Sequence, residues 1–310
     1  MWILGVDENG MGPQFGPLVA TAVAIEPDHY DPAVWRARGE RLGITDSKQS
    51  SGAGRMARAE SFALALVERV FGEAPATADA LLDRLVSAGA AGLRASCGCR
   101  SASAPAVDQC FGVDVRLPAF GGDVDEGRRW LRALEAEAPL RVRWVRSDLA
   151  CAARLNRALE EGRNKLRVDL GLFEGLVLAA RAHAGADLRA ICGMVGGIRD
   201  YTKYLGRLAA VPARTTGTDR RRRRYVVEMV GEVAFEVKAD AAHLPVAMAS
   251  MVGKYVRELE VERINRFYRA YLPHLPRASG YHDPVSDRFV RETAGVRERL
   301  GVPPECFLRR

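Results

Sequence analysis

The chain has 310 residues, 48% of them hydrophobic, enough for one large domain or two smaller ones with a sizeable core. Lys and Arg number 46 against 39 Asp and Glu, and the net charge of +7 mildly favours an acidic partner such as nucleic acid. No apolar run approaches the roughly 20 residues of a membrane span, which excludes a spanning helix.

The opening residues turn acidic at Asp7-Glu8, unlike a secretory leader. The cysteines are therefore expected as reduced thiols in a cytoplasmic protein. Cys97, Cys99 and Cys110 stand close in sequence, but the C-x-C spacing is not a common structural-zinc pattern and no fourth ligand is evident.

Residues 2–7 read as a buried strand that ends in the acidic pair. The glycine-rich run Asn9 to Pro17 must turn, and Leu18 to Ile25 is a second short apolar strand, so the two form an antiparallel hairpin. Helices are predicted over 57–72 and 77–88. From about 89 to 122 the chain is rich in Ala, Ser, Gly and Cys and reads as irregular or inserted structure. A helix follows at 125–137, a strand exposed on one face at 140–146, and helices at 149–161 and 165–184. Leu188 to Cys192 is a short strand, followed by a helix over 199–209. Residues 224–230 and 233–238 flank Gly231-Glu232 as a second hairpin, with the unbroken arginines 220–224 at its mouth. Long helical composition runs from Val246 to Tyr271, with Pro245 near its start, and a last helix is predicted over 285–299. Strands that occur both as hairpins and between helices imply an α/β protein, a mixed sheet with helices on its faces.

Asp7 and Glu8 lie where a buried strand meets a glycine turn. Neighbouring carboxylates cost Coulomb energy unless a cation neutralises them, and a hard cation such as Mg²⁺ suits oxygen ligands. Asp240 ends a second apolar stretch, Phe235 to Asp240, directly before the long helix. Three carboxylates at strand ends are the kind of cluster that metal-assisted phosphoryl transfer uses.

The run Gly5-Val6-Asp7-Glu8-Asn9-Gly10-Met11-Gly12-Pro13, then Phe15-Gly16-Pro17-Leu18-Val19, resembles the opening motif of the type 2 ribonucleases H, ribonucleases HII and HIII. Thr45-Asp46-Ser47-Lys48 is similar to the family's Asp-Ser-Lys segment. Lys238-Ala239-Asp240 with Ala247, Ala249-Ser250 and Lys254 through Arg257 resembles its Lys-Ala-Asp stretch. Ser279-Gly280-Tyr281-His282-Asp283-Pro284 is similar to its Gly-Tyr motif. The resemblance implies a ribonuclease H-like mixed sheet flanked by helices, with an inserted or irregular middle and a helical C-terminal part. It places the domain over 1–275, with the insertion at about 50–185, and a helical extension carrying the Gly-Tyr motif over 276–310. It further implies Mg²⁺- or Mn²⁺-dependent hydrolysis of the RNA strand of an RNA–DNA hybrid, or of a ribonucleotide embedded in a DNA duplex, leaving 3′-hydroxyl and 5′-phosphate ends. By motif position, Asp7, Glu8 and Asp240 inherit the catalytic and metal-ligand roles. Asn9, Gly10, Met11, Gly12, Asp46, Lys48, Lys254 and Tyr281 inherit substrate contacts, Tyr281 by stacking on the sugar beside the 2′-hydroxyl.

The sequence departs from the family at two places. Met11 stands where a basic or small polar residue is usual, and Gly193 stands where the remaining catalytic aspartate belongs, with no carboxylate within five positions. Two readings stay open: a metal-dependent ribonuclease, and a catalytically impaired protein that keeps the fold and binds hybrid without cleaving it. The arginine run admits two readings as well, a grip on a phosphate backbone or a solvated hairpin tip.

Overall fold

The computed structural model describes residues 1–44, 53–97, 109–136, 140–208 and 213–310. Its centre is a mixed sheet of seven strands in the order β3-β2-β1-β4-β7-β6-β5. β1 (Trp2–Asn9) and β2 (Leu18–Pro27) form the expected antiparallel hairpin, Ile3 opposite Ile25 through Asn9 opposite Val19. β4 (Leu188–Gly193) lies parallel to β1, and β7 (Gly231–Glu236) lies parallel to β4. β6 (Arg222–Val227) and β5 (Ala213–Thr218) complete that side as antiparallel neighbours, and β3 (Leu140–Ala150) closes the other edge against β2.

The alternation of β1 and β2 divides their side chains between two cores. Ile3, Val19, Val23 and Ile25 face one, and Leu4, Val6, Leu18, Ala20 and Ala22 face the other. β2 is apolar almost throughout because both faces are covered. The first core is covered by α2 (Ala53–Phe71), α3 (Ala78–Leu85), α5 (Val124–Ala136) and the long α9 (Leu244–Tyr271), with α1 (Pro32–Arg41) and the short α4 (Gly89–Ala95) at its margin. α6 (Ala152–Glu160) and α7 (Lys165–Ala184) cover the second. The stretch from about 50 to 185 thus supplies an edge strand of the sheet and helices to both faces. No described helix is long and apolar enough to cross a membrane.

The start of α9 lies directly on β1. A Cβ at Gly5 would sit 2.2 Å from the Pro245 carbonyl carbon and 2.3 Å from Val246 N, so only glycine permits this approach. Beyond the sheet, α9 meets the C-terminal segment of α10 (Pro284–Glu292) and α11 (Ala294–Arg299). There Phe15, from the turn after β1, stacks against Phe289 at 5.5 Å and Phe307 at 5.2 Å.

Several boundaries differ from the sequence reading. The helix expected from 149 begins at 152, because Leu149 and Ala150 pair with Val19 and Leu18 and extend β3. The helix expected over 199–209 is a single 3-10 turn, Tyr201–Lys203. Asp200 bonds Thr202 N, and the Tyr201 ring leaves the helical path to stack on Phe235 at 3.8 Å. The last helix breaks at Thr293 into α10 and α11. β5 was not foreseen, being polar and exposed with one paired neighbour. Cys151, Cys192 and Cys306 are free thiols, while Cys99 and the Thr45-Asp46-Ser47-Lys48 motif lie outside the described residues.

Candidate functional site

The three parallel strands β1, β4 and β7 end together. The loops beyond the carboxyl ends of such strands are where open α/β sheets bind ligands. Asp7, Glu8, Gly193, Met194, Gly197, Val237, Lys238, Ala239 and Asp240 line an open pocket of about 340 Å³ at that edge. The three candidate carboxylates from the sequence therefore share one cavity.

Each is placed by its local backbone. Asp7 and Glu8 lie near the end of β1, opposite Thr21 and Ala20. Asp240 sits in the four-residue helix α8 (Ala239–Ala242), which follows Lys238 in a left-handed conformation, φ 55°. That conformation is uncommon outside glycine and redirects the chain from β7 into the pocket wall. Asp240 Oδ1 accepts from Ala241 N at 3.0 Å.

Asp7 opens to the pocket but is set deep. Desolvation pushes its carboxyl well above the usual range, and the charges of Glu8 and Asp240 push it further, while the Ser250 hydroxyl pulls it back. Mutually repelling carboxylates opening on one pocket offer oxygen ligands of the kind that a hard divalent cation takes. Among the described residues, no three His, Cys, Asp or Glu side chains stand close enough to form a ready-made metal centre.

Gly193 completes the picture. A Cβ there would point at Asp7 Oδ1, 2.7 Å away, and at Glu8 Oε2, 3.4 Å away. The position that the sequence comparison left without a carboxylate faces straight into the carboxylate cluster.

The described substrate-contact candidates lie on the end of β1 and the turn after it, on α9 and in the segment before α10, outside the pocket lining. Asn9 donates to the Ser250 carbonyl at 3.2 Å. Gly10, at φ 91°, packs next to Arg257. Gly12 has open space around its Cα, and Met11 packs partly buried against the α7-side core. Lys254 lies partly buried on α9, one turn after Ser250. Tyr281 is exposed, with its ring 4.4 Å from the buried Arg257 guanidinium. The two motifs interlock: Gln14 N donates to the Gly280 carbonyl at 2.8 Å, and Gln14 Nε2 donates to the Tyr281 carbonyl at 3.1 Å.

Three groups escaped the sequence reading. Arg309 is 8% exposed and holds the turn after β1, its Nη1 on the Gly10 carbonyl at 2.6 Å and its Nη2 on the Met11 carbonyl at 3.0 Å. Asp169, on α7, is fully buried, and neither carboxylate oxygen has a hydrogen-bond partner among the described residues. Burial, with Asp7 adding repulsion, raises its carboxyl well above the usual range. Burial also pushes up the Cys192 thiol, with Asp169 and Asp7 contributing. His243, the N-cap residue of α9, is buried between Glu236 Oε2 and the Tyr30 hydroxyl, each at 3.1 Å. No sequence signal marked any of the three.

The ribonuclease HII family model matches residues 203–299, a span that holds Lys238, Asp240, Lys254 and Tyr281. No curated protein matches the chain by sequence. Among solved structures, ribonuclease HII of Archaeoglobus fulgidus, determined in complex with PCNA, is 19% identical with a TM-score of 0.47, over 100% of this chain and 94% of that one. Ribonuclease H2 of Pyrococcus horikoshii OT3 is 16% identical with a TM-score of 0.49, over 99% and 92%. Bst-RNase HIII in complex with Mn²⁺ is 18% identical with a TM-score of 0.47, over 100% and 66%.

Proposed function

We propose, from the premise that the chain is similar to the type 2 ribonucleases H, that it is a divalent-metal-dependent endoribonuclease. Its substrate is the RNA strand of an RNA–DNA hybrid, or a ribonucleotide embedded in a DNA duplex. The observation that carries the reading is the single pocket into which Asp7, Glu8 and Asp240 open.

Asp7, Glu8 and Asp240 would hold Mg²⁺ or Mn²⁺, which would supply an activated water and charge for the leaving oxygen. The product ends are a 3′-hydroxyl and a 5′-phosphate. Tyr281, propped from beneath by Arg257, offers a flat face to the sugar that carries the 2′-hydroxyl. Asn9 to Gly12 present backbone groups to the same strand, and Lys254, with Asp46 and Lys48, supports the phosphate backbone. Residues 1–275 form the nuclease domain and 276–310 an extension that carries Tyr281. The protein acts in the cytoplasm.

A second reading is favoured by Gly193: with no side chain beside Asp7, the protein binds hybrid without cleaving it. One assay separates the two. Purified protein is incubated in Mg²⁺ and in Mn²⁺ with a labelled hybrid, and with a duplex carrying one ribonucleotide, beside Asp7→Asn. Cleavage abolished in the variant is the expected result. Hybrid binding without cleavage in either metal would replace the nuclease by the silent binder.

A further inference from the structure

β6 runs antiparallel to β7 with Arg222 opposite Glu236, so β6 begins at the end of the sheet where β7 stops and the carboxylate pocket opens. The turn from β5 into β6 therefore sits at the pocket's rim. Val237, which lines the pocket, donates its N–H to the Arg221 carbonyl at 2.9 Å.

The five arginines divide into two sets. Arg222 is held by Glu236, Nε to Oε1 at 2.7 Å and Nη2 to Oε2 at 2.8 Å. Arg223 is buried and donates from Nε to the Arg199 carbonyl at 2.9 Å. Arg224 pairs with Glu232 at 3.6 Å. These three belong to the architecture. Arg220 and Arg221 are exposed, and no carboxylate among the described residues forms an ion pair with either. Asp219 is engaged in the turn itself, accepting from Arg221 N at 2.6 Å and Arg222 N at 2.8 Å. Lys238, on the pocket wall, and Arg199 are exposed as well.

An acidic pocket on its own repels a polyanion, so a nucleic acid that enters it needs cations at the rim. The tip is braced by the Asp219 acceptor, the Val237–Arg221 bond and the buried Arg223, so little order is lost on binding. We propose that Arg220 and Arg221 grip the phosphodiester backbone of the same duplex whose RNA strand enters the carboxylate pocket. This rests on the nuclease reading for the pocket and adds a contact outside it, one that reads phosphate and not base sequence.

The test is binding of a labelled RNA–DNA hybrid, followed by fluorescence anisotropy across a salt series in EDTA, where cleavage is silent. Each lost phosphate contact removes about 0.9 from the slope of log K against log salt. Arg220→Ala/Arg221→Ala should therefore bind more weakly, with a slope shallower by about 2, equally for unrelated hybrid sequences. Arg220→Lys/Arg221→Lys should keep the parent slope. Arg132→Ala, an exposed arginine on α5, should change nothing. A parent slope in the double alanine variant would overturn the proposal and leave the nuclease reading standing. So would an equal loss in Arg132→Ala, since net charge alone would then explain the effect. A parent protein that binds no hybrid at any salt would bring down the nuclease reading itself, and this contact with it.

Discussion

Gly193 and Asp7 are lateral neighbours at the ends of two parallel strands, with 2.7 Å between the place of a Gly193 Cβ and Asp7 Oδ1. A side chain at 193 would project toward Asp7 and Glu8, and the Asp7 carboxylate would have to move aside for it. Gly193→Asp consequently adds a fourth carboxylate to a cluster already short of positive charge. In metal-free buffer the variant should melt several degrees lower, since a destabilisation of ~1 kcal/mol shifts the midpoint by roughly 2–4 °C in a domain of this size class. On adding Mn²⁺ it should recover more than the parent, and calorimetry should show tighter Mn²⁺ binding. Equal Mn²⁺ affinity in the two proteins would mean that position 193 is out of the ion's reach.

Arg309 closes the turn that follows β1. Its two bonds to the Gly10 and Met11 carbonyls are joined by Arg309 N to the Gln14 carbonyl at 2.8 Å. Hydrogen bonds from a charged donor contribute about 1.5–3 kcal/mol each. Arg309→Ala should cost ~2–4 kcal/mol by urea unfolding and speed amide exchange at residues 10–14. Arg309→Lys should recover little, because an ammonium cannot span two carbonyls as a planar fork does. Unchanged exchange in the alanine variant would remove Arg309 from the support of the turn.

Glu260 gives a pH dependence with a defined sign. Burial lifts its carboxyl to about 7 despite the adjacent Arg263. A carboxyl raised in the folded state favours folding while it is protonated, and that advantage fades as pH rises through the folded value. Stability should therefore fall between about 4.5 and about 7 from this group. Glu260→Gln should flatten that part of the profile, with the largest gain over the parent above 7. A profile identical to the parent's across that interval would show that Glu260 titrates in the ordinary range.

Asp169 predicts a different comparison. Its raised carboxyl also makes folding less favourable as pH climbs past the folded value. Asp169→Asn should match the parent in acid and become more stable at higher pH. A polar group buried without a partner costs ~1–3 kcal/mol in mutational series, which sets the scale of the gain. A difference that stays constant with pH would show that Asp169 does not titrate with folding.

The parts of the fold that could be read from sequence are those where local pattern and tertiary environment agree. β1 and β2 are apolar runs around a glycine turn. α7 is bounded by Asn164, which caps Arg167 N, and by Gly185 at φ 66°. Residues 199–209 misled because their composition suits a helix while Tyr201 is drawn off to Phe235. β5 carries no apolar alternation to announce it. At the site, Asp7, Glu8 and Asp240 were legible through motif, and Gly193 was legible as a gap. Asp169 was not, since an acid within a helix reads as a solvent-facing residue until the packing around it is known. Arg309 was equally silent, for its partners are backbone carbonyls 299 and 298 positions away.

The pocket is built where β1, β4 and β7 run side by side, and each is separated from the next by long stretches of chain. Asp7 and Glu8 meet by adjacency, but Asp240 joins them only after both parallel pairings have closed. Such non-local pairings bear their loop-closure entropy before any contact rewards it, so they form late and slowly. An ion that needs all three carboxylates finds no site in the unfolded chain. Under the proposed function, an ion held there would act as a lock on a finished sheet, slowing unfolding without quickening its assembly.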